Sequence, residues 1–441
     1  MRSLVICTLA LAVLGTAAVG RAQDRPAVLV TPGSARTFKA AVQSFRDGSA
    51  TPKLGRAEEF RGWLEAALTY SNVIEPLKHA AFLGPERTGA LDGEDVVCSD
   101  WSQIGADALV QGELTLDTEF AVEIRVWDTA RCTRLVRKRY RQPASADPGV
   151  VARRIADDVV ESFIGVRGVA ATEIAFVSNR KGTSEIYVMG ADGSNPRSAT
   201  ANGSINRFPS WSPDGDSIVY TSYRHQDRPL LFLSSRGRGR PGRLLRRLGD
   251  AYSEYRGVFA PDGSHLAVAM SAPDRASEIY RVRPDGRDLR ALTRSTAIDV
   301  APAWSPDGSQ LAFVSDRSGS PQVYVMEADG SSQRRLTFQG PYNTHPAWSP
   351  DGKWIAYESR IGGQFDIWLI DPEGTVNVPL VQHPRGDESP TWAPNSRKVA
   401  FSSRRRGRAD IYVIDVNGEN LHRTTRSGGD DTSPSWGPFP R

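Results

Sequence analysis

The sequence predicts a small α/β domain followed by an all-β, six-bladed propeller. Three observations support this fold class. An aromatic-Ser/Ala-Pro-Asp-Gly motif recurs through the second half, a short β-branched segment follows each complete copy, and the first half mixes helical and strand patterns without any such repeat. Four short strands fit into a repeat of this length, which is the size of one propeller blade.

The repeat is nearly regular. Its aromatic residues stand at positions 211, 259, 304, 348, 392 and 436, so the spacings are 48, 45, 44, 44 and 44 residues. A strand pattern follows each complete copy, as at 218–222 and 311–315, and another comes about eleven residues later and usually runs into an Asp-Gly or Asn-Gly turn. β-Branched and aromatic strands joined by tight turns are typical of antiparallel blades.

The two ends of the repeat are complementary. The first copy begins at the strand 174–178 with no aromatic motif before it, whereas the last copy stops after Trp436. We therefore expect the C-terminal strand to complete the first blade and close the ring, which leaves few free sheet edges. This interpretation gives six blades within residues 169–441.

The first half reads as the α/β domain, over residues 35–168. Strand patterns cover 107–116, 120–127 and 133–139, and a helical pattern covers 57–68. Asp147-Pro148 is typical of a helix start and Gly165 of a helix end, so a second long helix is expected between them. The segment 38–45 fits both strand alternation and a helical face.

The N-terminus has the pattern of an export signal. A charged start precedes the apolar run 4–19, and small residues precede a predicted cleavage between Ala22 and Gln23. A retained membrane anchor is the alternative. No later apolar run reaches the roughly 18 residues that a membrane helix needs, so the mature chain is expected to be soluble and not to span a membrane.

Export would leave two cysteines, Cys98 and Cys132, in an oxidising compartment. A disulfide between them and two separate thiols are both compatible with the sequence. The six His residues are scattered and there is no Cys-x-x-Cys pair, so neither a zinc site nor another cofactor is expected.

Charge gives little support for a nucleic-acid partner. There are 55 basic and 51 acidic residues, a formal net charge of +4. Two basic runs, 236–247 and 404–408, lie between predicted blade strands. We interpret them as solvated turns or as contacts with anionic envelope polymers, and we expect no nucleic acid to bind.

The propeller repeats and two stretches of the first half resemble sequences of the TolB family. The repeats are similar to the family's propeller, the stretch 153–168 leading into 174–178 is similar to its domain junction, and 101–112 is similar to its N-terminal domain. The resemblance covers nearly the whole mature chain. It implies a periplasmic, protein-binding adaptor of the Tol–Pal system that supports outer-membrane integrity and envelope constriction at division.

Two partners follow from that resemblance. The family's N-terminal segment binds TolA of the inner membrane, and this maps to residues 23–34. The candidate contacts there are Asp24, Arg25, Val28 and Val30. Pro26 and Pro32 depart from the family pattern, and a strand-addition contact tolerates proline only where no amide donor is needed.

The second implied partner is Pal, a peptidoglycan-associated lipoprotein; other outer-membrane proteins are further candidates. Its site lies at the propeller mouth, in the loops just before each aromatic strand. We call these positions the rim: Arg207, Phe208, Ser253, Glu254, Tyr255, Arg256, Asp299, Val300, Asn343, Thr344, His345, Asp387, Glu388, Asp430, Asp431 and Thr432. Such loops can vary without disturbing the sheets. An alternative role for Asp299, Asp387, Glu388, Asp430 and Asp431 is to hold a hard cation such as Ca²⁺ at the channel mouth.

Two other function classes compete with the adaptor. Propeller hydrolases of the prolyl-oligopeptidase type need a G-x-S-x-G nucleophile elbow, and the sequence contains none. A propeller lactonase would need a cage of acidic and amide ligands around a metal at the channel. A generic exported propeller that binds small molecules or sugars, unrelated to Tol–Pal, is the third class. We expect the protein not to be an enzyme.

Overall fold

The computed structural model describes residues 36–83, 96–225, 228–235, 242–245 and 252–440. The apolar leader, the cleavage site at Ala22 and Gln23 and the segment 23–34 lie outside the described residues. The same holds for most of the basic run 236–247.

The N-terminal domain is built on one six-stranded sheet. Its strands are β1 (Phe38–Val42), β2 (Arg46–Asp47), β3 (Ile74–Pro76), β4 (Ala108–Leu116), β5 (Glu119–Asp128) and β6 (Thr133–Pro143). Their order is β3-β1-β4-β5-β6, with β2 beside β4. The strands at 107–116, 120–127 and 133–139 are confirmed, and the ambiguous segment 38–45 begins as a strand parallel to β3 and β4.

Two long helices cover one face of this sheet. They are α1 (Arg56–Tyr70) and α3 (Pro148–Ile164); the shorter α2 (Cys98–Gln103) and a 3-10 turn (His79–Ala81) lie elsewhere. The carboxylate of Asp147 accepts from the amide of Gly149 at the start of α3, and Gly165 ends it in the left-handed region with φ 68°. These caps explain why the helix has the predicted limits. Apolar residues from both helices fill the domain core.

A disulfide holds the opposite face together. Cys98 at the start of α2 is bonded to Cys132 in the β5–β6 turn, with a Cα–Cα distance of 5.6 Å. Phe82 and Trp101 pack edge to face nearby, with ring centroids 5.2 Å apart. The two cysteines that the sequence left open are thus a bonded pair, and the bond ties the region before β4 to the sheet.

The propeller consists of six four-stranded sheets in the described residues, as predicted. Each blade is named here with its strands in order from the channel outwards. Blade 1 comprises Asp431–Trp436, Glu173–Lys181, Thr183–Gly190 and Arg197–Ser198. Blade 2 comprises Asn206–Trp211, Ser217–His225, Arg228–Ser235 and Arg243–Leu244. Blade 3 comprises Ser253–Phe259, Leu266–Ser271, Glu278–Val282 and Arg290–Ala291. Blade 4 comprises Asp299–Trp304, Gln310–Ser315, Gln322–Glu327 and Arg334–Arg335. Blade 5 comprises Asn343–Trp348, Ile355–Ser359, Asp366–Ile370 and Asn377–Val381. Blade 6 comprises Asp387–Trp392, Lys398–Ser403, Asp410–Asp415 and His422–Arg423.

The ring closes as the sequence predicts. The C-terminal strand pairs antiparallel with the first strand of the repeat, with Trp436 opposite Ile174. The Trp436 indole is buried and donates a 2.8 Å hydrogen bond from Nε1 to Oγ1 of Thr172. Blade 1 is therefore assembled from the two ends of the propeller sequence, so the ring cannot open without losing this strand.

The two domains meet on one face of the propeller. The first strand of each blade runs from the face we call the rim face towards the opposite face, which we call the turn face because it carries the Pro-Asp-Gly turns of blades 2 to 5. The N-terminal domain packs on the turn face, where Tyr70 Oη donates to the carbonyl of Ala191 (3.0 Å) and Asn395 Nδ2 donates to that of Arg167 (3.0 Å). The rim face is left uncovered by this domain.

A buried carboxylate fixes the chain between the domains. Asp157 on α3 accepts hydrogen bonds from the amides of Ala170 (2.7 Å) and Ala171 (2.9 Å). Gly168 approaches so closely that a Cβ atom there would lie 2.8 Å from the Asp157 Cα. None of the helices in the described ranges combines the length and apolar character of a membrane span.

Candidate protein-binding site

The predicted rim residues surround the channel, but they do not lie in loops as expected. All of them except Asp430 fall inside the first strand of a blade, because each strand begins five or six residues before its aromatic residue. A β-bulge interrupts every one of these strands two to four residues before the aromatic position. Bulges redirect side chains, so neighbouring rim residues face different surroundings.

Several rim residues are buried and serve the fold. Asp299, Asn343, Asp387 and Asp431 have no exposed surface, and Glu254 is 3% exposed. Three of the carboxylates pair with an arginine of the same blade: Arg180 with Asp431 (3.1 Å), Arg317 with Asp299 (3.0 Å) and Arg405 with Asp387 (2.8 Å). Arg317 and Arg405 stand in the turn after the second strand, and Arg180 stands near the end of that strand. Each of these three carboxylates is enclosed and paired with an arginine within its own blade, so its oxygens are not exposed to a partner in this structure.

The same pairs speak against a Ca²⁺ site built from Asp299, Asp387 and Asp431. A calcium ion needs several converging oxygens that are not already engaged by cations. Within the described residues no group of three or more His, Cys, Asp or Glu side chains could hold a metal ion. Burial raises the pKa of Asp387, and the Arg405 guanidinium opposes that rise.

These arginines are a feature that the sequence reasoning missed. Each stands two residues after a serine of the second strand, and its guanidinium lies over aromatic rings of that blade, as Arg405 does over Tyr412 at 4.7 Å. Arg317 lies over Tyr324 at 5.1 Å and Arg180 over Tyr187 at 4.4 Å. The recurring Ser-x-Arg at 178–180, 315–317 and 403–405 was the available signal.

The rest of the rim remains accessible to different degrees. Arg207 and Glu388 are exposed, and Thr344 is nearly buried at 9% exposure. The partly buried members are Phe208, Ser253, Tyr255, Arg256, Val300, His345, Asp430 and Thr432. Burial raises the pKa of Glu388, and repulsion from Glu358 raises it further.

Two aromatic rings narrow the channel at the bulge. Phe208 and His345 come from blades 2 and 5, which face each other across the axis, and their ring centroids are 6.4 Å apart. Both residues have positive φ, 52° and 47°, an unusual conformation for bulky side chains. The bulge thus turns them towards the axis. His345 Nδ1 lies 3.0 Å from Oε1 of Glu358, which also accepts from the amide of Ser389 (2.5 Å).

Arg256 occupies the corresponding position in blade 3. Its side chain lines a cavity of about 470 Å³ inside the channel, together with Trp304 and Trp348. Burial lowers the pKa of Arg256 to about 10, and the nearby Glu358 opposes this, so the guanidinium is charged at neutral pH. Glu358 was not a sequence candidate. The other blades have Val177, Thr221, Ala269, Val314 or Ser402 at that strand position, and this contrast could have singled it out.

The rim face also carries exposed apolar side chains that the sequence reasoning missed. They are Ile205 (45% exposed), Ile298 (50%), Phe338 (73%) and Tyr342 (37%). Three of the four stand immediately before the buried polar residue that begins a first strand. Large exposed apolar side chains on one face are typical of a protein interface.

Comparison with known proteins decides the family. A model described as the TolB amino-terminal domain matches residues 26–135, and one described as the TolB beta propeller domain matches residues 160–440. The chain belongs to the TolB family. A Tol-Pal system protein TolB from Anaeromyxobacter dehalogenans (strain 2CP-1) is 35% identical over 305 residues, which is 69% of this chain and 67% of that protein. TolB of Bordetella pertussis is also 35% identical, over 52% of this chain and 51% of that protein.

The fold agrees with a solved TolB. The crystal structure of TolB from Acinetobacter baumannii matches with a TM-score of 0.78 at 24% identity, covering 92% of this chain and 97% of that one. At this identity the likeness shows the fold alone. The names of the relatives place this TolB member in the Tol–Pal system.

Proposed function

We propose that this TolB member is a periplasmic, non-enzymatic adaptor that binds a Pal-like lipoprotein with its rim face and a TolA-like inner-membrane protein with residues 23–34. In this way it would support outer-membrane integrity and constriction at division. The observation that supports it best is the rim face itself. It is left uncovered by the N-terminal domain and carries exposed apolar side chains, among them Ile298 and Phe338.

The chemistry of the mouth favours binding over catalysis. The buried carboxylates of Asp299, Asp387 and Asp431 are held by arginines. Glu358 contacts His345 and accepts from a backbone amide. A general base or metal ligand needs a carboxylate that is free to reach a substrate. Apolar anchors surrounded by polar residues are instead what a protein partner would use.

The experiment changes one exposed apolar residue on each face. Ile298→Glu places a charge on the rim face, and Val376→Glu makes the same kind of change on the turn face, where Val376 is 45% exposed. Binding to the purified soluble domain of a peptidoglycan-associated lipoprotein is measured by calorimetry. We expect Ile298→Glu to weaken binding by about tenfold or more, as for an interface anchor, and Val376→Glu to leave it unchanged.

Deleting residues 23–34 separates the second partner. Binding to the TolA-like protein is expected to be lost while the lipoprotein still binds. The adaptor assignment is contradicted if the unaltered protein does not bind the lipoprotein, or if the two glutamate variants behave alike. Equal loss of both partners on deletion would refute the division between segment and rim.

A further inference from the structure

Three arginines form a cluster on the rim face of blade 6. Arg406 and Arg408 stand in the turn between its second and third strands, and Arg385 stands in the loop before its first strand. Both connections emerge on the rim face because the strands alternate in direction. A Cβ atom placed on Gly407 would lie 4.0 Å from Nη1 of Arg385, so that side chain reaches the turn. We call Arg385, Arg406 and Arg408 the blade 6 arginine cluster.

The fold does not require this cluster. Arg405, in the middle of the same turn, pairs with Asp387, and Arg404 pairs with Asp430 at 3.3 Å. The three cluster residues are exposed and none has a carboxylate partner among the described residues. The matching turn of blade 4 reads Asp-Arg-Ser-Gly at 316–319, so it keeps the structural arginine without the additional ones.

Three arginines that form no ion pair with the described part of the chain repel each other, so the cluster favours an anionic neighbour. The position of the cluster on the rim face determines which partner can contact it. A standard interface covers about 800 Å² on each partner, a disc of about 16 Å radius. Strands lie about 4.8 Å apart, so the turn between the second and third strands lies about 7 Å outside the first strand, which lines the channel. A protein centred on the mouth therefore extends over the turn of blade 6.

We propose that the blade 6 arginine cluster docks an acidic surface of the protein partner that occupies the rim face. This inference rests on the proposed function and names the chemistry of the partner's contact. Guanidinium groups pair with carboxylates through two parallel hydrogen bonds. Complementary charges at the edge of an interface act mainly by speeding association, and salt weakens them because the Debye length is only about 8 Å at physiological ionic strength.

The test reverses the charge of two cluster residues. Arg406→Glu/Arg408→Glu is compared with Arg287→Glu/Arg290→Glu, which makes the same charge change at exposed positions beside the turn face of blade 3. Association and dissociation rates with the soluble lipoprotein domain are measured at low and high salt. We expect the cluster variant to associate about tenfold more slowly at low salt, the difference to shrink at high salt, and dissociation to change little. The control should match the unaltered protein.

The outcomes are distinguishable. If the unaltered protein binds the lipoprotein and the cluster variant associates at the same rate at low salt, the inference is overturned while the proposed function stands. If the unaltered protein does not bind the lipoprotein, both are overturned. Sedimentation with phosphatidylglycerol vesicles tests an anionic membrane as the alternative occupant. Vesicle binding that the cluster variant loses, with unchanged association to the lipoprotein, would also overturn the inference.

Discussion

Asp157 gives the most quantitative prediction. This carboxylate is 1% exposed and anchors the chain between the two domains through the amides of Ala170 and Ala171. Burial raises its pKa from an ordinary 3.8 to about 7, although the two amides and Arg167 oppose the rise. The folded protein therefore holds a proton on Asp157 over a pH range in which the unfolded chain has lost it.

The sign and size of the effect follow from linkage. Below about pH 4 both states are protonated, and the full contribution of Asp157 to stability is present. As the pH rises towards 7 the unfolded state is favoured, and the loss levels off above the folded pKa. A difference of about three pH units corresponds to about 4 kcal/mol, of which about 2–3 kcal/mol falls between pH 5 and pH 8.

The assay compares urea unfolding of the unaltered protein and Asp157→Asn at several values between pH 5 and pH 8. The asparagine does not titrate, so the stability difference between the two proteins should shift by about 2–3 kcal/mol in favour of the variant as the pH rises from 5 to 8. Glu161→Gln, at an exposed position on the same helix, is the control and should show no such shift. A difference that is constant with pH would refute the reasoning.

Two further predictions concern the fold. Arg405→Ala leaves Asp387 buried without its partner and should lower the free energy of unfolding by about 3–5 kcal/mol. Arg404→Ala removes an exposed ion pair and should lower it by less than about 1 kcal/mol. Equal effects of the two variants in urea unfolding would contradict the structural role of Arg405. Cys98→Ser/Cys132→Ser should lower the free energy of unfolding by about 2–4 kcal/mol, and the thermal unfolding of this variant should not depend on reductant. If reductant does not change the thermal unfolding of the unaltered protein either, the disulfide is contradicted.

Much of the fold was predictable because its signals are local. The strands of the blades show in residues that are close in sequence, and the missing motif before 174–178 matches the unpaired strand at Trp436. The caps of α3 at Asp147 and Gly165 were likewise visible. Position 38–45 stayed ambiguous because a short apolar segment fits two periodicities, and its pairing with β3 and β4 decided in favour of a strand.

The site was predictable only in outline. The sequence indicated which end of each first strand faces the mouth, but it did not separate the buried residues from the accessible ones. Asp299 is enclosed by Arg317, which follows 18 residues later, and Asp431 is enclosed by Arg180 from the other end of the propeller. The exposed Ile298 and Phe338 were overlooked because isolated apolar residues in a loop do not form a pattern.

The sequence by itself determined the six blades, the closure of the ring and the attached α/β domain, since a motif repeated at a fixed spacing specifies one sheet after another. Only the tertiary structure decided what the mouth presents. The bulges in the first strands of blades 2 and 5 turn Phe208 and His345 towards the axis from opposite sides. In blades 1, 4 and 6 the carboxylate at the start of the first strand is buried and pairs with an arginine of its own blade. The physical reason is that burial and pairing at the channel depend on residues brought together by the folding of each blade and by ring closure, and their distance along the chain hides that proximity.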